Sequence, residues 1–147
     1  MDNRDKKMDG WKEVLIFHIE ITGSEKVSGR TGEGEMIYFT GEADCPEFKG
    51  RVLPGGVDTQ KEQKGCRRTL SARYILEGTD REGKPCRIFV ENNGILGENR
   101  QLEYTVPFIY TDSEALSYLE TAKLRGTIVP FGKGIQIHIF CEQEEAL

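Results

Sequence analysis

No stretch of this chain approaches the ~20 consecutive apolar residues that a membrane-spanning helix needs. The opening Met1-Asp2-Asn3-Arg4-Asp5-Lys6-Lys7 also leads into no apolar signal region. A cytoplasmic protein without a membrane partner is the expectation. The four cysteines, Cys45, Cys66, Cys86 and Cys141, form no Cys-x-x-Cys pair and show no zinc-ligand spacing. Reduced thiols acting as small hydrophobes suit that compartment, and neither a disulfide nor a metal site is expected. An excess of positive charge is missing too. The formal net charge of -5 argues against a nucleic-acid partner, because phosphate binding needs a concentrated basic face. The one basic cluster, Lys61, Lys64, Arg67 and Arg68, is interrupted by Glu62 and Gly65 and reads as a solvated loop.

Catalytic signatures are equally absent. There is no Gly-x-Ser-x-Gly elbow, phosphate-cradling loop, dinucleotide fingerprint or His-Glu-x-x-His, so no cofactor is implied. The Gly55-Gly56 pair is better explained by a tight turn than by phosphate binding, since no helix start follows it.

What is present is alternation. With 147 residues, 37% hydrophobic and 31% charged, the chain can bury one real core, roughly 68–70% of the surface that its unfolded form exposes. Apolar and polar residues alternate with period two in short runs separated by glycine-rich turns, which is the strand signature. About eight strands are predicted, near residues 12–22, 35–43, 48–53, 68–77, 85–91, 101–110, 123–129 and 134–142. Pro54-Gly55 suits the centre of a type II turn, residues 79–84 suit a hairpin loop, and Asn92-Asn93-Gly94 reads as a turn. One short helix is expected over residues 113–122, capped through Thr111 and Glu114 or else by Asp112 or Ser113, with Leu116, Tyr118 and Leu119 as its apolar side. The fold class is therefore all-β, a small closed or nearly closed antiparallel β-barrel. Residues 11–147 form its single domain, behind a loosely tethered segment 1–10.

Both faces of the terminal strands carry large apolar groups. Ile135, Ile137, Ile139 and Cys141 oppose Gln136, His138 and Phe140, while Leu15, Phe17, Ile19 and Ile21 oppose Val14, Ile16, His18 and Glu20. A lone barrel needs only one apolar face, so a homodimer or higher homo-oligomer is expected to cover the other.

The segment Phe48-Lys49-Gly50-Arg51-Val52-Leu53-Pro54-Gly55-Gly56-Val57-Asp58, followed by Leu70-Ser71-Ala72-Arg73-Tyr74, resembles the domain-of-unknown-function family 3237, also known as uncharacterised protein family 0311. The resemblance continues through Val90-Glu91-Asn92-Asn93-Gly94, Pro107-Phe108 and Tyr118-Leu119. It implies a calycin-like barrel and no settled activity. The chain departs from the family pattern at Ser71, where an acidic residue is common, and at Thr59, where an aromatic one often follows the aspartate.

The candidate ligand-binding residues are Arg73, Asp58, His18 and His138. Arg73 on a lumen-facing strand position would hold a carboxylate or enolate oxygen through its fixed donors. The alternative turns Arg73 outward. Asp58 would sit at the barrel mouth, although an aspartate after such a turn often caps local backbone instead. The two histidines lie on the first and last strands, which a closed barrel joins antiparallel, with Glu20 as the nearest carboxylate along the strand. The best reading is a small-molecule-binding barrel whose lumen takes a small anionic or aromatic ligand. The alternatives are a cofactor-free isomerase, cyclase or lyase working in the same lumen, and a packed barrel serving assembly only.

Overall fold

The computed structural model describes residues 10–143, most of them in strands. Nine are present among these residues: β1 (Trp11–Ser28), β2 (Gly32–Cys45), β3 (Phe48–Val52), β4 (Val57–Gln63), β5 (Thr69–Asp80), β6 (Pro85–Ile95), β7 (Val106–Thr111), β8 (Leu124–Phe131) and β9 (Gly134–Glu142). All pairings are antiparallel, in the order β7-β6-β5-β3-β2-β1-β9-β8. β4 lies in line with β3, because both pair with β2 on one side and β5 on the other. The two are halves of one interrupted strand, so the sheet is effectively eight strands wide. Its outer edges meet where Thr105 and Gly126 exchange backbone hydrogen bonds of 2.8 and 2.9 Å, which closes the barrel.

The interruption is the Leu53-Pro54-Gly55-Gly56 segment. Gly55 has φ 109°, a left-handed value that glycine adopts without cost, and proline presets the residue before it. Gly56 O then accepts the Phe39 N–H at 3.1 Å, and Leu53 N–H donates to Ile75 O at 2.8 Å. The ladder is thus resumed on both sides of the bulge. β4 itself lies where the sequence suggested a loop, since Lys61 is a strand residue paired with Gly34 and Thr69.

Two further expectations are corrected. Asn92-Asn93-Gly94 is not a turn but part of β6, paired with Ala72, Ser71 and Leu70. Cross-strand pairing outweighs the turn preference there, and a Cβ at Gly94 would press on the Leu102 and Thr105 side chains. The expected helix shrinks to one 3-10 turn, Ser117–Glu120. Leu116 and Leu119, both fully buried, stand three residues apart, and a three-residue repeat stacks them on one side. Ser113 Oγ, rather than Thr111, accepts the Leu116 N–H at 3.2 Å.

The inward residues divide the barrel into two halves. In the lower half Leu15, Phe48, Leu76, Ile88, Leu116 and Leu119 are fully buried and fill the interior. The 3-10 turn plugs that end. Ser113 ties it to the wall by donating to Asp80 Oδ2 at 2.7 Å, while Asp80 Oδ1 accepts the N–H groups of Glu82 and Lys84 and locks the β5–β6 hairpin. Above this core Tyr74 meets Phe17 and Phe39 edge to face, at ring-centroid separations of 5.9 and 5.2 Å. These three rings form a floor, and above it the barrel is not filled.

Candidate functional site

Over the aromatic floor lies a cavity of about 260 Å³. Eight-stranded barrels are of the size that encloses either packed side chains or one small ligand; this one packs side chains in its lower half and leaves a cavity in the upper. The walls are the inward positions of the alternating strands, with Ile19 and Ile21 from β1, Ile37 and Phe39 from β2, Leu70 and Ala72 from β5, Ile128 from β8, and Ile135 and Ile137 from β9. Into this apolar wall the chain sets Asp58, Gln60, Asn92 and Thr105. Asp58 stands opposite Ala72, and Ala72 opposite Asn92. Two polar side chains therefore flank a methyl group in one row, and the small residue keeps the space between them clear.

Asp58 is the most loaded of these groups. Its Oδ2 accepts a hydrogen bond from Gln60 Nε2 at 2.7 Å, and Gln60 Oε1 in turn accepts Arg68 Nε at 2.7 Å. Arg68 is buried and spends its remaining donors on Glu33 and Glu35, each at 2.8 Å, and on Glu62 at 3.4 Å. Gln60 is thereby oriented, with its carbonyl toward Arg68 and its amide toward Asp58. Burial pushes the Asp58 carboxyl above the ordinary aspartate range, against the opposing pull of Gln60, the Ser71 backbone and the Arg68 charge. Its Oδ1 is buried and has no hydrogen-bond partner among the described residues. The same is true of Asn92 Oδ1 and Thr105 Oγ1, whose residues also line the cavity, and of Thr127 Oγ1 and the Tyr74 hydroxyl, whose residues do not; burial pushes the Tyr74 ionisation far up. Buried polar atoms are paired in the great majority of cases, so the three unpaired ones of Asp58, Asn92 and Thr105 make this cavity the candidate site.

Of the residues singled out in the sequence, Asp58 lines the cavity and Arg73 does not. Arg73 lies on the outer wall with its side chain 63% exposed, paired with Glu91 at 2.9 Å. The reason is phase, because the Leu70, Ala72, Tyr74 face of β5 turns inward and its alternate residues must turn out. The basic cluster is split likewise, as Arg68 is one of the most buried polar residues of the fold.

The histidines lie on the outer wall of the paired terminal strands. Ile16 faces His138 and His18 faces Gln136. Gln136 links the two, with its amide 3.4 Å from His18 Nδ1 and its carbonyl 2.7 Å from His138 Nε2. The carboxylate on His138 is Glu13, 2.7 Å from Nδ1, and not Glu20. A bulge between Glu13 and Leu15 causes this, since the extra residue shifts Glu13 onto the face of His138.

Asn92 and Thr105 were missed in the sequence. For Asn92 a signal existed, because Cys86, Ile88 and Val90 alternate toward the core and place residue 92 on the same inward face. Thr105 had none. Its position follows from the bridge to Gly126, where any Cβ would collide with its hydroxyl.

Fold and cavity together define a small antiparallel β-barrel with a ligand-sized lumen. The family model described as "Protein of unknown function (DUF3237)" matches residues 12–106, and the chain belongs to that family. A UPF0311 protein of Clostridium acetobutylicum is 31% identical over 147 residues, covering 95% of this chain and 88% of the relative. Among solved structures, a protein of unknown function from Clostridium acetobutylicum ATCC 824 superposes with a TM-score of 0.75 at 21% identity, over 90% of this chain and 99% of the other. A crystal structure described as an enzyme from Penicillium herquei gives a TM-score of 0.69 at 14% identity, over 89% and 92%. Among the described residues no helix is long and apolar enough to cross a membrane.

Proposed function

We propose that the upper lumen is a binding site for one small molecule. The observation that carries this reading is the set of buried, unpartnered polar atoms of Asp58, Asn92 and Thr105 in the wall of an otherwise apolar cavity. Apolar walls supply affinity, and a few placed polar groups supply orientation. An unpaired buried polar group costs about 1–3 kcal/mol, a cost that a bound partner removes.

The test is a small-molecule screen by thermal shift on the wild type and on Ala72→Phe, which places a ring in the cleared space. Ligands of the lumen are expected to stabilise the wild type by about 2.7 kcal/mol at a hundred times Kd and to leave Ala72→Phe unmoved. Hits that stabilise both proteins equally would place binding elsewhere and reject the reading.

A second reading is favoured by one specific observation. The Asp58 carboxyl lines the cavity, is raised by burial, is held through Oδ2 and has no partner at Oδ1. A general base or acid works best with its pKa near the operating pH, so proton transfer at Asp58 is the chemistry this lumen would perform. The fold likeness to a protein described as an enzyme is compatible with that reading. The raised pKa also has a stability consequence. A carboxyl raised in the folded state contributes stability below its unfolded value, ordinarily 3.8, and loses that contribution as pH climbs through the folded value. Above the folded value the fold therefore carries a buried charge. Asp58→Asn is expected to raise stability by about 0.5–2 kcal/mol at pH 7, with the gain shrinking toward pH 4, as followed by urea unfolding. A neutral-pH loss would contradict the placement of the charge.

A further inference from the structure

Resting on the lumen reading, the chemistry of the wall also selects the kind of molecule. None of the residues lining the cavity is Lys, Arg or His. Arg68 stands nearest as a cation, and its donors are directed to Gln60, Glu33, Glu35 and Glu62. An anion entering the lumen would meet the Asp58 carboxyl with no counter-charge, in a low-dielectric space where like charges repel strongly. Arg73, the residue that would have welcomed an anion, is outside.

The polar atoms that remain uncommitted set the complementary requirement. Asp58 Oδ1 accepts when ionised and can donate when protonated. Thr105 Oγ1 can do either, and Asn92 Oδ1, in the same row as Asp58, accepts. A hydroxyl, which both donates and accepts, satisfies Asp58 in either protonation state. An ether or ketone cannot serve the ionised form. Packed at the density of protein interiors, a cavity of about 260 Å³ holds roughly ten to a dozen non-hydrogen atoms. We propose that the lumen takes an uncharged alcohol of that size, with its hydroxyl on the Asp58 carboxyl and its hydrocarbon skeleton against the isoleucine wall.

Three probes on one skeleton test this: menthol, menthyl methyl ether and p-menthane-3-carboxylate, titrated calorimetrically at pH 7 against the wild type, Asp58→Leu and Asp58→Asn. Menthol is expected to bind at least ten-fold more tightly than the ether or the carboxylate. Asp58→Leu should lose that preference while still binding the skeleton. Asp58→Asn, which keeps the shape of the wall, should weaken menthol should Asp58→Leu fail to fold. A tighter carboxylate, or equal affinity for all three, overturns the alcohol assignment and leaves the lumen as a binding site. Binding of none of the three, by a wild type shown to be folded, overturns both.

Discussion

Replacing Gly78 with alanine is expected to cost about 3–5 kcal/mol of unfolding free energy, measured by urea denaturation, which is at the extreme of single substitutions. Gly78 faces Gly50 across the β3–β5 ladder, and the two backbones approach so closely that a Cβ at Gly78 would collide with the Lys49 carbonyl and with Gly50 itself. Backbone cannot step aside as a side chain can. The Phe48 ring, fully buried, lies over Gly50 and fills the space that the paired glycines leave. Gly34 also lies within a strand, but a Cβ there would meet nothing within 4 Å, so Gly34→Ala is the matched control and should change stability little. Equal losses at both positions would mean that strand entropy and not close approach sets the requirement.

The second large effect is expected at Arg68. Arg68→Met keeps much of the side-chain volume but leaves Glu33, Glu35 and Glu62 facing one another without their shared cation. Removing one partner from a buried ionic cluster typically costs about 3–5 kcal/mol, and the lower end applies because these carboxylates keep partial solvent contact. The sign with pH follows from Glu33, whose carboxyl the Arg68 hydrogen bond holds below its ordinary value of 4.5. A lowered carboxyl contributes stability above that ordinary value and loses it as pH falls through the folded one. The gap between wild type and variant should therefore narrow on acidification, as read from melting temperatures between pH 7 and pH 3. A gap independent of pH would assign the loss to packing. Gln60 would lose its orienting partner as well, so the variant also frees the hydrogen bond that holds Asp58 Oδ2.

Much of this barrel was legible because burial and alternation coincide. Leu15, Phe17 and Ile19, or Ile135, Ile137 and Ile139, announce both the strand and the side that faces the core. β4 carried no such signal. After Val57 it reads Asp-Thr-Gln-Lys-Glu-Gln, polar at every position, and it is a strand because β2 and β5 hold it on both sides. That segment supplies two of the polar groups in the lumen wall, Asp58 and Gln60, so the stretch least readable as structure is the one that most shapes the site. Arg68 was hidden for a related reason. Its sequence neighbours form a charge run, and only contacts made across 33 and 35 residues, to Glu35 and Glu33, reveal that it is buried. Pairing of the first and last strands was readable from barrel closure, whereas its register was not. The bulge before Leu15 changes which carboxylate meets His138, and nothing in the local composition announces that extra residue.

The pair of hydrogen bonds between Thr105 and Gly126 gives the cylinder a mechanical weak line. Every other boundary between neighbouring strands is a ladder of several residue pairs, so a radial swelling of the wall would be resisted everywhere except along this seam. Thr105 also borders the cavity, so the seam runs along the lumen wall. Breathing there would part the wall of the lumen at the cost of two hydrogen bonds.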